Sequence, residues 1–193
     1  MKSKKKLTHR FEPKHHRGLE SRYRRRILPP TTILKSFGLK KGMKVADVGV
    51  GTGYFLIPAA RIVGQQGKAY GIDVSEEMLQ ILSKKRLPRN TVIVHSIDGY
   101  SFDVPSSEVN FVVASAILHE NDPDKFLREL RRIMKRKGKL LIIEWKKTSK
   151  FGPPLDERLD EEDVVRMLKR NRFRPVTSRS LNARYYAVLS EKV

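Results

Sequence analysis

The sequence predicts an α/β domain: seven strands in a mostly parallel sheet, helices on both faces, and an antiparallel hairpin at the carboxyl end. Three observations predict it. Short apolar runs alternate with longer segments of helical periodicity, the pattern of strands fed through crossover helices. The first run, Val45-Ala46-Asp47-Val48, opens directly into Gly49-Val50-Gly51-Thr52-Gly53, a strand followed by a glycine-rich turn and a helix. The last two runs, residues 173–178 and 184–190, are joined by a few residues around Leu181-Asn182. That link is too short for a parallel crossover, so these two strands must run antiparallel.

The elements follow in order. Residues 1–29 are polar and basic, with Leu19, Tyr23, Ile27 and Leu28 at helical spacing, so part of this arm can fold against the domain. Pro29-Pro30 marks a break, after which Thr31 or Thr32 caps a short helix that runs through Phe37 and stops at Gly38. The chain therefore divides into a basic amino-terminal arm or lid, 1–30, and a main domain, 31–193. The first strand is 44–48. A helix over about 54–63 ends before Gly64, and Pro58 should bend or shorten it. The second strand is 68–72. Ser75 caps the next helix, with Glu76 and Glu77 in its first turn and Lys84, Lys85 and Arg86 in its last, matching the helix dipole. Strands three and four are 91–95 and 109–115. Asp122 caps a helix with Pro123 at its first position, an apolar face of Phe126, Leu127, Leu130, Ile133 and Met134, and a stop at Gly138. That helix would also carry a basic face of Arg128, Arg131, Arg132, Lys135, Arg136 and Lys137. Strand five is 139–144, and Asp160 caps a last helix through about residue 169.

The glycine turn points to a nucleotide-like ligand. Glycine lets a ligand lie on bare backbone and tolerates positive φ, and the following helix offers free N–H groups. A dinucleotide turn wants Gly-x-Gly-x-x-Gly/Ala. Here the glycines fall at 49, 51 and 53, and Tyr54 stands where a small residue should be. Asp47 precedes them by two positions, and Asp73 closes the second strand, twenty residues after Gly53. A carboxylate there can accept from both ribose hydroxyls.

With these residues in view the chain resembles the class I S-adenosylmethionine-dependent methyltransferases, in particular the small single-domain ubiquinone/menaquinone-methyltransferase-like type, over about residues 33–190. The resemblance is carried by acid-x-Gly-x-Gly-x-Gly at 47–53, by Asp73 in Gly71-Ile72-Asp73-Val74-Ser75, by Asp98 in Ser96-Ile97-Asp98-Gly99, and by the fourth strand with its loop, Val109 to Glu120. It implies a Rossmann-like seven-stranded sheet and S-adenosyl-L-methionine as cofactor. It also implies that Asp47 serves the methionine end, that Asp73 and Val74 meet the ribose, and that Ile97, Asp98 and Gly99 meet the adenine. It also places Ser115, at the end of the fourth strand, among the cofactor-binding residues with Gly49, Gly51 and Gly53. The amino-terminal segment, with Arg10-Phe11-Glu12-Pro13, would cap the cofactor.

Composition narrows the classes further. The 193 residues suit one domain with a full core. No apolar run approaches 18 residues, so no membrane span is expected, and the basic start lacks the apolar segment of a secretory signal. With no cysteine there are no disulfides, thiolate metal sites or cysteine nucleophiles. A cytoplasmic protein is the default. The net charge is +20, and residues 1–40 supply +11 of it from 13 Lys/Arg and two acids. Such an arm can recruit RNA or another polyanion. Many Lys/Arg and no cysteine also suit a thermophilic protein whose charges are merely solvated. His9, His15 and His16 follow no metal-ligand spacing, so no metal is expected.

Methyl transfer from a sulfonium needs positioning rather than a nucleophile triad. His119, in the loop after strand four, is the candidate general base, and Glu144, at the end of strand five, is a candidate catalytic acid group at the same sheet edge. The segment Ser115-Ala116-Ile117-Leu118 lacks the Asn/Asp-Pro-Pro-aromatic signature of amino-directed nucleic-acid methyltransferases, which disfavours base-amine methylation. The expected function is methyl transfer by in-line displacement, with a small-molecule acceptor favoured. RNA or protein recruited by the arm, a NAD-dependent oxidoreductase, and a non-catalytic cofactor-binding regulator stand as the alternatives.

Overall fold

The structure, a computed structural model, describes residues 20–193; the expectations for residues 10–13 and for His9, His15 and His16 lie outside the described residues. Seven strands form one sheet: β1 (Lys44–Val48), β2 (Lys68–Asp73), β3 (Thr91–His95), β4 (Val109–Ser115), β5 (Met134–Trp145), β6 (Phe173–Ser180) and β7 (Tyr185–Lys192). Their spatial order is β3-β2-β1-β4-β5-β7-β6. The first five pair in parallel, and β7 is antiparallel to both β5 and β6. The seven-stranded sheet and its terminal hairpin are those read from the sequence.

Among the described residues, six helices surround the sheet: α1 (Arg22–Ile27), α2 (Pro30–Ser36), α3 (Leu56–Val63), α4 (Glu76–Ser83), α5 (Pro123–Ile133) and α6 (Glu161–Arg170). Alternate strand residues feed two cores. Val45, Phe111, Val113, Leu141 and Ile143 pack with Ile33, Leu34, Leu56, Ala60, Leu79 and Leu82 from α2, α3 and α4. Ala46, Val48, Val112, Ala114, Leu140 and Ile142 pack on the other face with Phe126, Leu130, Ile133, Val164 and Leu168 from α5 and α6. Burial on both faces explains why these strands read as unbroken apolar runs.

Several boundaries differ from the sequence reading. The helix after Asp122 ends at Ile133, five residues before Gly138, because Met134 is fully buried and pairs with Val109 as the start of β5. A register shift between Val109 and Phe111 absorbs the extra residues, and Lys137 takes φ +61° there. Lys135, Arg136 and Lys137 therefore belong to a bulged strand start, and the basic helix face is limited to Arg128, Arg131 and Arg132. α3 begins at Leu56, so Pro58 sits in its first turn, where no backbone donor is lost and no bend is required. α2 begins with Pro30 and has no side-chain cap, in place of the threonine cap expected. α4 ends at Ser83, leaving Lys84, Lys85 and Arg86 beyond it. Ser75, Asp122 and Asp160 do cap α4, α5 and α6, accepting from backbone N–H groups of Met78, of Asp124 and Lys125, and of Asp163. Among the described residues, no helix is long and apolar enough to cross a membrane.

Asp122 closes the loop that leaves β4, so its cap bears on the site described next. Asp122→Ala should lower stability by about 1 kcal/mol, seen in urea titration as a lower midpoint at an unchanged slope.

Candidate active site

β1 and β4 are neighbours in the sheet, but their crossovers lead to opposite sides, towards β2 and β5. Chains that part in this way leave a crevice beyond the carboxyl ends of the two strands. A cavity of about 980 Å³ opens there, at the upper end of the roughly 300–1,000 Å³ usual for small-molecule sites. It has room for a donor and an acceptor together.

The glycine turn forms one wall. Gly49, Gly51 and Gly53 have φ of +75°, +50° and +87°, a region that side-chain-bearing residues avoid. A Cβ on Gly49 would lie 2.8 Å from the Ile117 side chain. The Gly49 and Val50 N–H groups both donate to the Ile72 carbonyl, at 2.9 and 3.0 Å. Asp73, at the end of β2, ties the turn to the next helix: its carboxylate accepts from Gly51 N–H at 2.7 Å and from Ser75 N–H at 2.9 Å. Each oxygen keeps a further lone pair for a ligand. Lys85 donates to the Thr52 carbonyl at 2.7 Å and pairs with Glu20, joining the turn to the amino-terminal segment. Beneath the turn, Asp47 is buried. Burial pushes its carboxyl well above the usual range; the Leu56 N–H opposes this, the Asp73 charge adds to it, and Arg24 opposes it again.

Val74, Ser96 and Gly99 continue the wall beside β2 and β3, whereas Ile97 and Asp98 do not line the cavity. Ile97 is 92% exposed. Asp98 accepts from the N–H groups of Tyr100 and Ser101 at 2.8 and 2.9 Å, and the Tyr100 bond foremost holds its carboxyl below the usual range.

Beyond β4 the chain turns sharply. Ala116 takes φ +55°, an uncommon conformation for a residue with a side chain, and its N–H donates to the Ile143 carbonyl at 2.7 Å. The turn swings Ile117 over Gly49 and starts a 3₁₀ turn, Leu118–Glu120. There Glu144, 1% exposed on β5, accepts from Leu118 N–H at 2.9 Å and from His119 Nδ1 at 2.8 Å. The His119 ring is 4% exposed, and its Nε2 lies 3.8 Å from Glu120. Burial disfavours the imidazolium, but the Glu144 charge and hydrogen bond, with Glu120 and Glu157, outweigh it and raise the His119 pKa above the ordinary value. His119 and Glu120 line the cavity; Glu144 stands behind His119 and does not.

The amino-terminal segment supplies the opposite wall. Tyr23, Arg24 and Ile27 line the cavity. Tyr54 explains why a small residue is not needed after Gly53: its hydroxyl donates to the Leu28 carbonyl at 2.8 Å, and the Arg24 guanidinium lies 4.3 Å from its ring centre. Asn182, in the β6–β7 turn, donates to the Ile27 carbonyl at 2.6 Å. Trp145 and Tyr185 meet at 4.3 Å between ring centres and complete an aromatic wall. The sequence reading did not single out Arg24, Thr52 or Tyr185 as site residues. Thr52 sits inside the glycine motif, where the glycines alone carry the spacing signal, whereas Arg24 and Tyr185 have none because they reach the cavity from elements placed there by packing.

The cavity fits an adenosyl-amino-acid ligand. The Thr52 and Ser115 hydroxyls, both in its wall, are buried without a hydrogen-bond partner. Gly49 and Gly51 line the cavity beside them, and two carboxylates flank the turn. Residues 39–182 match the family model described as a methyltransferase domain, and the chain belongs to that family, within the class I S-adenosylmethionine-dependent methyltransferases. A solved S-adenosylmethionine-dependent methyltransferase from Aquifex aeolicus is similar at 34% identity and a TM-score of 0.90, covering 95% of this chain and 100% of that one. The demethylmenaquinone methyltransferase of Geobacillus sp. (strain WCH70) is 30% identical over 154 residues, 76% of this chain and 66% of that protein. The ubiquinone/menaquinone biosynthesis C-methyltransferase UbiE of Vibrio campbellii is 30% identical over 115 residues, 57% of this chain and 44% of that protein. The chain thus spans about half to two thirds of the curated relatives it matches.

Asp73 holds the turn and lines the cavity. Asp73→Ala should weaken S-adenosylmethionine binding by roughly 1–3 kcal/mol, as expected for loss of a charged acceptor. Calorimetric titration of the purified variant measures it, and an unchanged affinity would remove Asp73 from the cofactor site.

Proposed function

We propose that this chain methylates a ring carbon of a small hydroxylated aromatic acceptor, of the hydroquinone kind. The acceptor would lie in the same cavity as the cofactor, under the wall formed by residues 20–28. The observation that carries the reading is the His119–Glu144 pair. The Glu144 carboxylate accepts from Nδ1, which leaves Nε2 of the neutral ring as the nitrogen that can take a proton. The names of the Geobacillus and Vibrio relatives support a quinone-like acceptor, as does the wall of Trp145 and Tyr185.

The residues divide as follows. Asp47 and Arg24 face the amino-acid end of the cofactor and Asp73 and Val74 the ribose; Gly49 and Gly51 pass beside it in the cavity wall, while Gly53, packed against Leu82, lets the turn keep its shape. Gly99 serves the adenine and Asp98 holds the turn that presents it, whereas Ile97, 92% exposed and outside the cavity wall, has no part in the contact. Ser115 closes the site from β4. The bound sulfonium supplies an electrophilic methyl group that already carries its leaving group. His119 removes the proton from an acceptor hydroxyl, which raises electron density on the neighbouring ring carbon; once methylated, that carbon gives up its own hydrogen as a proton while the imidazolium returns the first proton to the oxygen, so one proton is released for each methyl transferred. Glu144 stabilises the imidazolium and keeps the ring in one tautomer, acting through His119 as a positioning residue. The cavity walls hold the acceptor carbon behind the methyl and keep water out. Residues 1–30 act as the lid of the domain at 31–193.

The test is transfer of labelled methyl from S-adenosylmethionine into a cell extract, separated afterwards into small-molecule, RNA and protein fractions. Label in the small molecules extractable into organic solvent is the expected result; label in RNA or protein alone would overturn the reading. Two further outcomes check the base. His119→Gln should lower turnover about 10²-fold while cofactor affinity stays unchanged. The acid limb of kcat/KM should sit above the ordinary imidazole pKa, because the base must be neutral and Glu144 holds it charged. Glu144→Gln removes that charge and should move the limb to lower pH; a limb that stays in place would exclude His119 as the base.

A further inference from the structure

We propose that Arg184 recognises an anionic group on the acceptor, so that the acceptor is a planar molecule bearing a carboxylate or a comparable in-plane anion beside its reacting ring. This rests on the reading that a small flat acceptor enters the cavity. It goes beyond the quinone-like relatives, whose names specify no such group.

Arg184 lies in the turn between β6 and β7 and lines the cavity. Its backbone is fixed: its N–H donates to Asn182 Oδ1 at 2.7 Å, and its carbonyl accepts from Lys146 N–H at 2.8 Å, across from the end of β5. Its side chain is held by two aromatic rings. The guanidinium carbon is 3.9 Å from the centre of Phe151 and 4.6 Å from the centre of Tyr23. Such contacts occupy the apolar surface of the ion and are favourable in themselves, but they offer no hydrogen-bond acceptor in the plane of its N–H groups.

What is missing around this ion decides the matter. Among the described residues no carbonyl, hydroxyl or carboxylate accepts from the Arg184 guanidinium, and no acid pairs with it. Several arginines outside the cavity are engaged by acceptors of the fold. Arg132 binds Glu129, Arg158 caps the carbonyls of Pro153 and Ser149, Arg170 binds Asp124, and Arg174 binds Glu191. Arg24, the other Lys/Arg side chain in the cavity wall, is taken up by Tyr54 and by a hydrogen bond with Tyr185. Arg184 is therefore a permanently charged fork, oriented in advance by two rings and not neutralised. Five N–H donors in a fixed plane match the two oxygens of a carboxylate. Trp145 and Tyr185, in the same wall, provide the surface for the flat ring that would carry it.

Phe151 and Tyr23, which hold the Arg184 guanidinium, are themselves 57% and 53% exposed. An acceptor that reaches Arg184 would cover part of both. An anionic lipid surface would present a similar anion to the same rim, and the test separates the two.

The full-length protein, loaded with S-adenosylhomocysteine, is titrated calorimetrically with 1-hydroxy-2-naphthoate and with 1-naphthol, which differ by the carboxylate alone. The wild type should bind the naphthoate about tenfold or more tightly than the naphthol, as a bidentate charged contact predicts. Arg184→Gln should bring the two ligands to within about twofold by weakening the naphthoate selectively. Arg184→Lys, which keeps charge but loses the fork, should retain part of the preference. Unchanged melting temperature and S-adenosylhomocysteine affinity in both variants would show that the site is intact. Equal binding by the wild type would overturn the proposal and leave the small-acceptor reading standing. Equal weakening of both ligands in Arg184→Gln would assign Arg184 a packing role and overturn it too. If neither ligand binds, both readings fall. Cosedimentation with phosphatidylglycerol vesicles that is lost in Arg184→Gln, without any naphthoate preference, would overturn it in favour of a lipid surface.

Discussion

The site depends on one constraint: the chain leaving β1 must turn through left-handed backbone while the N–H groups of Gly49, Val50 and Gly51 stay satisfied. Three glycines make the turn sterically allowed. The Ile72 carbonyl and the Asp73 carboxylate hold it by accepting from Gly49, Val50 and Gly51. Because both acceptors come from the end of β2, the shape of the turn follows from the β1–β2 register, which pairs Val48 with Ile72. Ile117 then packs over Gly49 at a distance that leaves no room for a methyl group. The walls of the cavity are thus set by strand pairing, and the open space between them is what remains.

A second buried acid organises the other half of the site in the same way. Glu144 reaches from β5 to the loop after β4 and satisfies the Leu118 N–H while orienting His119. A carboxylate at 1% exposure is costly to bury, and this one is tolerated because both of its oxygens have strong donors. The contrast with Asp47 is instructive. That acid is also buried, but lies near the like charge of Asp73, and its carboxyl is pushed well upward. A ligand bringing a positive group would relieve it. The two acids therefore do different work from similar depths: one is already partnered within the fold, and the other is best matched by a cation that the protein alone does not fully supply.

Much of this was legible in the sequence. The glycine spacing, the acid at the end of β2, the caps at Ser75, Asp122 and Asp160, and the short link that forces β6 and β7 antiparallel are local features, and local chemistry decides them. The misreadings have equally local causes. Met134 suits a helix face and a buried strand alike, so only its pairing with Val109 showed where α5 stops. Pro58 reads as a helix breaker until the first residue of α3 is known.

The sequence by itself determined the class of fold, the glycine turn and the identity of the acids beside it, because these are properties of residues close together in the chain. The tertiary structure alone decided which distant groups meet. His119 and Glu144 are 25 residues apart and become partners only through the β4–β5 register, which sets Ser115 beside Ile143. Arg24 reaches the cavity because Tyr54 anchors α1 there, and Arg184 because the β6–β7 turn lies against Lys146. Periodicity reports which face of an element is buried. It does not report what that element is buried against, and the chemistry at the acceptor end of this site is made entirely of such encounters.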